Sequence, residues 1–264
     1  MSGLDRGSGP RRDDRKSGLR RDDRGVSETI GFVLVFELIA TTIAVTFTVG
    51  LGGLEDARLA ERDNNVERAF DVLHDNVNDL SRDGAPSRST ELRLGGGSLT
   101  TDASSRLIIE SSTNRELENV SAAVVYRGAG DTEIRYEYGA VIRTDGGGSV
   151  MIREPDLLFG DRTVFGFVDL RPRGDATAGG ERTVLVRTTL ADDRSVSNAG
   201  ESANLTFEGS TVDAWERYFE DRRDGRGSEV IDGIDRTGDE LVVTLNADER
   251  VAVHRTTVVV RFSD

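Results

Sequence analysis

Residues 25–54, GVSETIGFVLVFELIATTIAVTFTVGLGGL, set the architecture of this chain of 264 residues. Between Glu28 and Glu55 lie 26 residues that carry a single charge, Glu37. A helix rises about 1.5 Å per residue, so roughly 20 apolar residues cross a hydrocarbon core of about 30 Å. The run is long enough to cross a membrane, and it predicts a transmembrane helix over residues 26–54.

The residues before this run are hydrophilic and charged. Residues 1–25 carry eight basic residues and five aspartates, which predicts a disordered leader. Basic residues beside a membrane helix favour the cytoplasmic side, and only Arg58 and Arg62 follow closely after the run. We therefore expect a single-pass protein of the cell membrane with a cytoplasmic N-terminus and an extracellular C-terminal domain. The run is longer than the apolar centre of a secretory signal, and no small-residue cleavage site follows it.

The composition excludes several kinds of function. The formal net charge is −14, and the part after residue 25 carries 26 basic and 43 acidic residues, a net −17. Such a domain will not bind nucleic acid through a surface that neutralises phosphates. The chain has no cysteine, which rules out disulfides, thiolate metal sites and cysteine nucleophiles.

The types of charged residue indicate the salt concentration in which the protein works. Lys16 is the only lysine among 34 basic residues, and 28 aspartates outnumber 20 glutamates. This pattern resembles proteins of extremely halophilic archaea. Molar salt shortens the Debye length to about 3 Å, so like charges on the surface repel one another little. The alternative is an ordinary acidic protein from an arginine-rich, GC-biased genome.

Helical periodicity continues over residues 55–83, where it predicts an amphipathic stalk. The apolar positions follow a heptad pattern, with Asp63 at one core position: Leu59, Val66, Phe70, Leu73, Val77 and Leu80. Polar residues lie between them: Arg68, Asp71, Asp75 and Asp79. Gly84 and Pro86 predict the end of the helix near residue 83. We expect this half of the helix to pack on a domain or on a neighbour.

After Pro86 the period changes to two, which predicts a β-rich head over residues 87–264. In TEIRYEY, residues 132–138, the alternation places Ile134, Tyr136 and Tyr138 on one face and charged residues on the other. Further strands are predicted at 106–110, 122–127, 149–153, 162–170, 182–190, 240–245 and 250–262. The glycines of residues 145–148 predict a hairpin loop, and VDAWERYFEDRR, residues 212–223, predicts one short helix capped by Ser210 or Thr211. The fold class is therefore α+β, a long N-terminal helix followed by a sandwich-like head.

The octapeptide Arg24-Gly25-Val26-Ser27-Glu28-Thr29-Ile30-Gly31, followed by the apolar run, resembles the N-terminal signature of archaeal type IV pilins. The residues from Glu55 to Leu73 resemble uncharacterised haloarchaeal pilin-like proteins. In this family a prepilin peptidase cuts before the apolar segment, which here implies a cut between Gly25 and Val26. Two features depart from the family: position 28 is Glu where the usual pattern has proline, and the head is large for a major pilin.

The resemblance implies a membrane-anchored pilin-like surface subunit, a minor or specialised pilin in surface filaments or adhesion. The implied partners are the membrane, a prepilin peptidase-like protease and other pilin-like subunits. The alternative is a single-pass membrane protein that never polymerises and presents an extracellular binding domain. Its N-terminus would be a plain signal anchor with a coincidental Arg-Gly pair.

Glu37 is the unusual residue of the apolar run. A carboxylate near the middle of a bilayer costs about 2.5–3.5 kcal/mol on insertion scales. Glu37, Thr41, Ala44 and Thr48 follow a 4-3-4 spacing and form one small, polar stripe, which favours close helix packing in lipid. The stripe predicts a helix-packing seam between subunits. The alternative is a Glu37 that is protonated, or snorkels, and is merely tolerated.

The remaining motifs indicate no catalysis. Asn119 and Asn204 begin possible N-glycosylation sequons. His74 and His254 are the only histidines and lack a second histidine at ligand spacing. No serine-hydrolase, metalloprotease, P-loop or dinucleotide motif occurs. We therefore predict no enzyme, no metal site and no cofactor.

Overall fold

The computed structural model describes residues 22–111, 116–119, 121–128, 130–159, 163–174, 177–200, 202–225, 227–245 and 251–263. The chain divides into two compact units, Met1–Ala57 and Arg58–Asp264. Residues 1–21, which are most of the predicted leader, lie outside the described residues.

Two helices and sixteen strands make up the described chain. The helices are α1 (Asp22–Ser81) and α2 (Val212–Arg223). The strands are β1 (Ser87–Arg93), β2 (Ser98–Asp102), β3 (Arg106–Ser111), β4 (Glu116–Asn119), β5 (Ala123–Arg127), β6 (Glu133–Glu137), β7 (Ala140–Asp145), β8 (Gly148–Arg153), β9 (Asp156–Leu158), β10 (Thr163–Pro172), β11 (Thr177–Gly179), β12 (Thr183–Gly200), β13 (Ala203–Glu208), β14 (Ile231–Thr237), β15 (Glu240–Leu245) and β16 (Val251–Ser263).

The part of α1 that belongs to the second unit is an element of the head's core. Its heptad positions Val66, Phe70, Leu73, Val77 and Leu80 are at most 2% exposed. They pack with strands from two sheets in one cluster, which we call the α1 core. Burying one large apolar side chain contributes about 1.5–3 kcal/mol. The predicted stalk is thus part of the head, and the compact unit begins at Arg58 rather than after Pro86.

Ion pairs fix this part of α1 to the strands around it. The carboxylate of Glu67 accepts from Arg143 Nη1 at 3.0 Å, and Asp71 accepts from Arg153 Nε at 2.8 Å. On another strand, Arg88 Nε donates to Asp79 at 3.0 Å. Asp63, which interrupts the heptad pattern, accepts a hydrogen bond of 2.9 Å from Thr132 Oγ1. The polar positions between the apolar ones therefore fix the rotation of the helix in its groove.

The strands form three sheets in the described chain, where the sequence predicts a sandwich-like head. Sheet A has the order β1-β12-β16-β10-β9, sheet B the order β11-β2-β5-β6-β7-β8, and sheet C the order β14-β15-β13-β3-β4. The pairing of β10 with β16 is parallel, and the other pairings are antiparallel. Strand β12 runs ten residues past its predicted end, because a register shift between Leu190 and Arg194 lets it go on pairing with β16.

Two hydrophobic cores share the long strands of sheet A. The second cluster, which we call the α2 core, lies among α2, sheet C and parts of β7, β10 and β16. In β10, Phe165 and Phe167 belong to the α2 core, whereas Val168 and Leu170 belong to the α1 core. Strand β16 makes the same change between Val251 and Val253 on one side and Val258 and Val260 on the other. The two cores are therefore tied together by continuous backbone.

Candidate functional site

The first candidate site is the apolar surface of α1 in the first unit. From Ser27 to Leu54 the side chains are exposed, and Phe32, Leu38 and Val49 are 73%, 67% and 70% exposed. Soluble monomers rarely expose an apolar patch larger than a few hundred Å². By length and composition this helix can cross a membrane. It is therefore compatible with a membrane anchor.

The predicted seam lies on this exposed surface. Glu37, Thr41, Ala44 and Thr48 are exposed residues on one side of the helix. The Thr48 hydroxyl donates a hydrogen bond of 2.9 Å to the carbonyl oxygen of Ala44 in its own helix. Thr48 therefore needs no hydrogen-bond acceptor from a neighbouring helix. Among these four residues, Glu37 has the side chain that most needs a polar partner inside a membrane, because a carboxylate is costly there.

The predicted processing residues lie at the start of α1. The helix begins at Asp22, so the backbone of Arg24, Gly25 and Val26 is helical, and the side chains of Arg24 and Val26 lie outside the described residues. We expect a peptidase to need extended backbone at the bond it cuts. The first turns of α1 must therefore unwind before a cut between Gly25 and Val26.

The two sequons differ in position. Asn119 ends β4, and its side chain lies outside the described residues. Asn204 lies in β13, the central strand of sheet C, between Glu110 of β3 and Thr244 of β15. Its side chain is half-buried and alternates with buried neighbours. A glycan on Asn204 would therefore stand on the outer face of sheet C.

A buried polar network between sheet B and α2 is the site that the sequence did not predict. The tight turn between β6 and β7 has positive φ at both Tyr138 (49°) and Gly139 (92°). This turn moves Tyr138 into the α2 core, whereas Ile134 and Tyr136 lie in the α1 core. The prediction that these three residues share a face is wrong, because the strand ends before Tyr138.

Glu137 is the centre of this network. Its side chain is 2% exposed. Oε1 accepts hydrogen bonds from Thr211 Oγ1 and, at 3.1 Å, from Trp215 Nε1. Oε2 accepts from Ser105 Oγ at 2.7 Å and from Arg135 Nη1 at 3.4 Å. All four donors converge on one carboxylate, which meets the requirement that a buried charge be paired and hydrogen-bonded.

Arg135 extends the network to the surface. Its side chain is 3% exposed, and it donates to Asp102 at 3.0 Å and to Glu133 at 3.2 Å. Burial lowers the pKa of Arg135, but the carboxylates of Glu137, Glu133 and Asp102 outweigh burial and raise it. Burial also raises the pKa of Asp102, and the hydrogen bonds from Ser104 together with the charge of Arg135 lower it overall. The charged forms of both groups are therefore favoured.

The network determines how α2 begins. Thr211, one of the two predicted cap residues, is the N-cap; it makes no side-chain capping hydrogen bond, and its hydroxyl donates to Glu137. Glu137 thus places a negative charge at the N-terminal end of α2, where the helix dipole favours it. Aromatic contacts continue the connection, with Trp215 stacked on Phe207 at 4.4 Å between ring centroids. The arrangement is structural: it joins α2 to β6 and to the loop after β2.

The two histidines have different surroundings. His74 is buried, and its Nε2 lies 3.2 Å from the carbonyl oxygen of Glu154, so this nitrogen is the donor. Nδ1 can then accept from Asn78 Nδ2 at 3.3 Å. His254 is half-buried and lines a cleft with Arg82, Asp156 and Thr256. No group of three or more potential metal ligands occurs among the described residues.

An apolar helix fit to cross a membrane and a β-rich head of three sheets define a protein with a candidate membrane anchor. The chain belongs to the family described as "Family of unknown function (DUF7289)", which matches residues 24–261. The match includes both the apolar helix and the head. No curated protein and no solved structure matches the chain.

Proposed function

We propose that this protein is a membrane-anchored, pilin-like surface subunit of a halophilic archaeon, in surface filaments or adhesion. The observation that carries the proposal is the exposed, nearly uncharged surface of α1 from Ser27 to Leu54, which begins just after the Arg24-Gly25-Val26 sequence. Such a surface is stable only when lipid or other apolar helices cover it. A pilin subunit uses both kinds of cover in turn, first the membrane and then the filament core.

The proposed mechanism is structural. The leader keeps the N-terminus in the cytoplasm, and the head folds on the outer side. A prepilin peptidase-like protease removes residues 1–25 and leaves the apolar helix as the anchor. Released from its leader, the helix packs with those of other subunits, and Glu37 faces a polar partner in the seam. The net charge of −17 after residue 25 suits a head in concentrated salt, where like charges are screened.

The mature N-terminus tests this proposal. Mass spectrometry of the protein from native membranes should give a chain that starts at Val26. Gly25→Leu should block the cut, because a bulky side chain obstructs the cleft of a peptidase at the membrane face. Gly31→Leu is the matched control: it makes the same change six residues later in α1 and should leave the cut unaffected. A mature chain that keeps residues 1–25 in the wild type would contradict the pilin proposal.

The alternative is a permanent single-pass anchor that presents the head as a binding domain. The helical backbone at Arg24–Val26 favours it, because a cut there first requires unwinding of the helix. An intact leader together with absence from sheared filaments would establish this alternative.

A further inference from the structure

One face of sheet A is covered by the α2 core over only part of its length. In β16, Val251 and Val253 belong to the α2 core. Further along the same strand, Val259 is half-buried and Arg261 is exposed. Side chains alternate between the two faces of a strand, so these four residues share one face. Beyond the α2 core, the described chain therefore leaves this end of the sheet face open to solvent.

Three arginines form a row across the open end of this face. Arg187 of β12 lies directly opposite Arg261 of β16. The backbone nitrogen of Arg173, just after β10, donates to the carbonyl oxygen of Val260 at 2.9 Å, which places Arg173 beside Arg261. All three arginines are exposed, and we call them the arginine row. Neighbouring strands lie about 4.8 Å apart, so the row is about 10 Å long.

The arginine row is not neutralised within the part of the chain that the structure describes. Many other arginines of the head pair with a carboxylate, as Arg143 does with Glu67. The side chains of the row make no hydrogen bond or ion pair with a described residue. Glu91, an exposed carboxylate near the row, lies opposite Leu185, one step away along the strand. Like charges directly opposite in a sheet are destabilising, so the row requires an anionic partner, and guanidinium groups bind carboxylates through paired hydrogen bonds.

Helix α2 carries the complementary charge. Glu220, Asp221 and Asp224 are exposed at its C-terminal end, and we call them the acidic stripe. Their carboxylates have no hydrogen bond or ion pair among the described residues. Carboxylates at this end of a helix lie beside the negative end of the dipole, so the stripe is also unfavourable alone. Helical residues four apart are about 5–6 Å apart at Cβ, which is close to the spacing of the arginines.

The arginine row and the acidic stripe lie in different parts of the head. The strand neighbours of the row, Val186 and Val260, belong to the α1 core, whereas Trp215 and Phe219 of α2 belong to the α2 core. We propose that the arginine row of one molecule binds the acidic stripe of a second copy of this chain. Such a contact is head-to-tail and leaves a row free at one end and a stripe free at the other, so it can repeat from subunit to subunit. The inference concerns the heads alone and does not depend on removal of the leader.

Single cysteines test this contact directly, because the chain has none of its own. Ser89→Cys lies opposite Arg187, and Arg217→Cys lies one turn before the acidic stripe on the same side of α2. The two full-length variants, mixed in a zwitterionic detergent with molar KCl, should be joined by a short bismaleimide cross-linker. Asp131→Cys, in the exposed turn before β6, is the control and should not be joined to Ser89→Cys. No product with Arg217→Cys, or equal yields with both partners, would overturn the proposal.

Reversing one charge of the row then tests the role of the arginines. Arg261→Glu in the Ser89→Cys chain should lower the yield of the specific product about tenfold, because carboxylate would then face carboxylate. Arg68→Glu is the matched control, since Arg68 is an exposed arginine of α1 that bonds only the neutral Asn65 among the described residues. Both variants should melt close to the wild-type temperature. A yield that Arg261→Glu leaves unchanged would overturn the proposal.

Reversing both surfaces tests whether they bind each other. Glu220→Arg with Asp224→Arg in the Arg217→Cys chain should lower the yield against an unchanged arginine row. The same chain should regain the yield against a Ser89→Cys chain that carries Arg187→Glu and Arg261→Glu, because the charges are then exchanged across the contact. Failure of the exchanged pair to recover would show that the row and the stripe do not meet, and it would overturn the proposal.

Discussion

Glu137→Gln should destabilise the head far more than its size suggests. The substitution keeps the shape of the side chain and removes its charge, so it creates no cavity. Gln has an NH2 group in place of one carboxylate oxygen. When this group takes the position of Oε2, it cannot accept the hydrogen bonds that Ser105 and Arg135 donate there. Breaking a buried ion pair by removing one partner typically costs 3–5 kcal/mol. Arg135 keeps its contacts with Asp102 and Glu133, so we expect the lower end, about 3 kcal/mol.

The assay follows thermal unfolding of the full chain in detergent at constant high salt. For a domain of this size, a loss of about 3 kcal/mol lowers the melting temperature by about 6–12 °C. Trp215 is the only tryptophan and donates to Glu137, so its fluorescence reports directly on the network. Glu208→Gln is the control, because Glu208 pairs with Arg106 at 3.3 Å near the surface and such pairs contribute at most about 1 kcal/mol. Equal melting temperatures for the two variants would refute the argument that Glu137 holds α2 in place.

Three further predictions concern charge. The melting temperature of the full chain in detergent should fall when KCl is lowered from molar to tens of millimolar, because the acidic surface then repels itself; an unchanged value would contradict the halophilic interpretation. The pKa of Asp102 is lowered in the folded chain, so its contribution to stability is present above the ordinary value near 4 and is lost as pH falls through the folded value. Asp102→Asn should therefore flatten the dependence of unfolding free energy on pH below about pH 4, measured by urea titrations, and an acid limb as steep as in the wild type would refute this. Glu37→Ala should leave membrane insertion intact and lower recovery in sheared filaments, whereas Thr48→Ala should have little effect on recovery because Thr48 already bonds Ala44; equal recovery for both variants would show that Glu37 is only tolerated.

Local periodicity predicted the helices well. The apolar run and the heptad positions from Val66 to Leu80 predicted a helix that ends near residue 83, and α1 ends at Ser81. Helix α2 has the predicted bounds, Val212–Arg223. These features depend on residues close in sequence, so the spacing of three and four residues between apolar positions is enough to predict them.

Long-range pairing could not be predicted in the same way. Strands β1 and β14 carry few apolar residues, and β14 contains Gly233, so their sequences lack the alternation that marks a strand. The parallel pairing of β10 with β16 joins segments about 90 residues apart and leaves no local pattern.

The buried network escaped prediction for a related reason. Glu137 and Arg135 alternate with apolar residues in β6, which is typical of a strand with one face in water. Both are buried because α2 and the loop after β2 cover that face. One local signal was present: Trp215 is a buried indole, and its N–H needs an acceptor.

The position of β16 in sheet A determines when the head can complete its folding during synthesis. This strand lies between β12 and β10 and contributes to both cores, yet it comes last along the described chain. A ribosome adds about 5–20 residues per second, so the apolar positions of α1 wait on the order of ten seconds or more for their final partners. Until then Phe70 and Leu73 remain without the strand that completes their cluster. The head must therefore fold after translation of its last strand, and a nascent chain needs protection from aggregation throughout that interval.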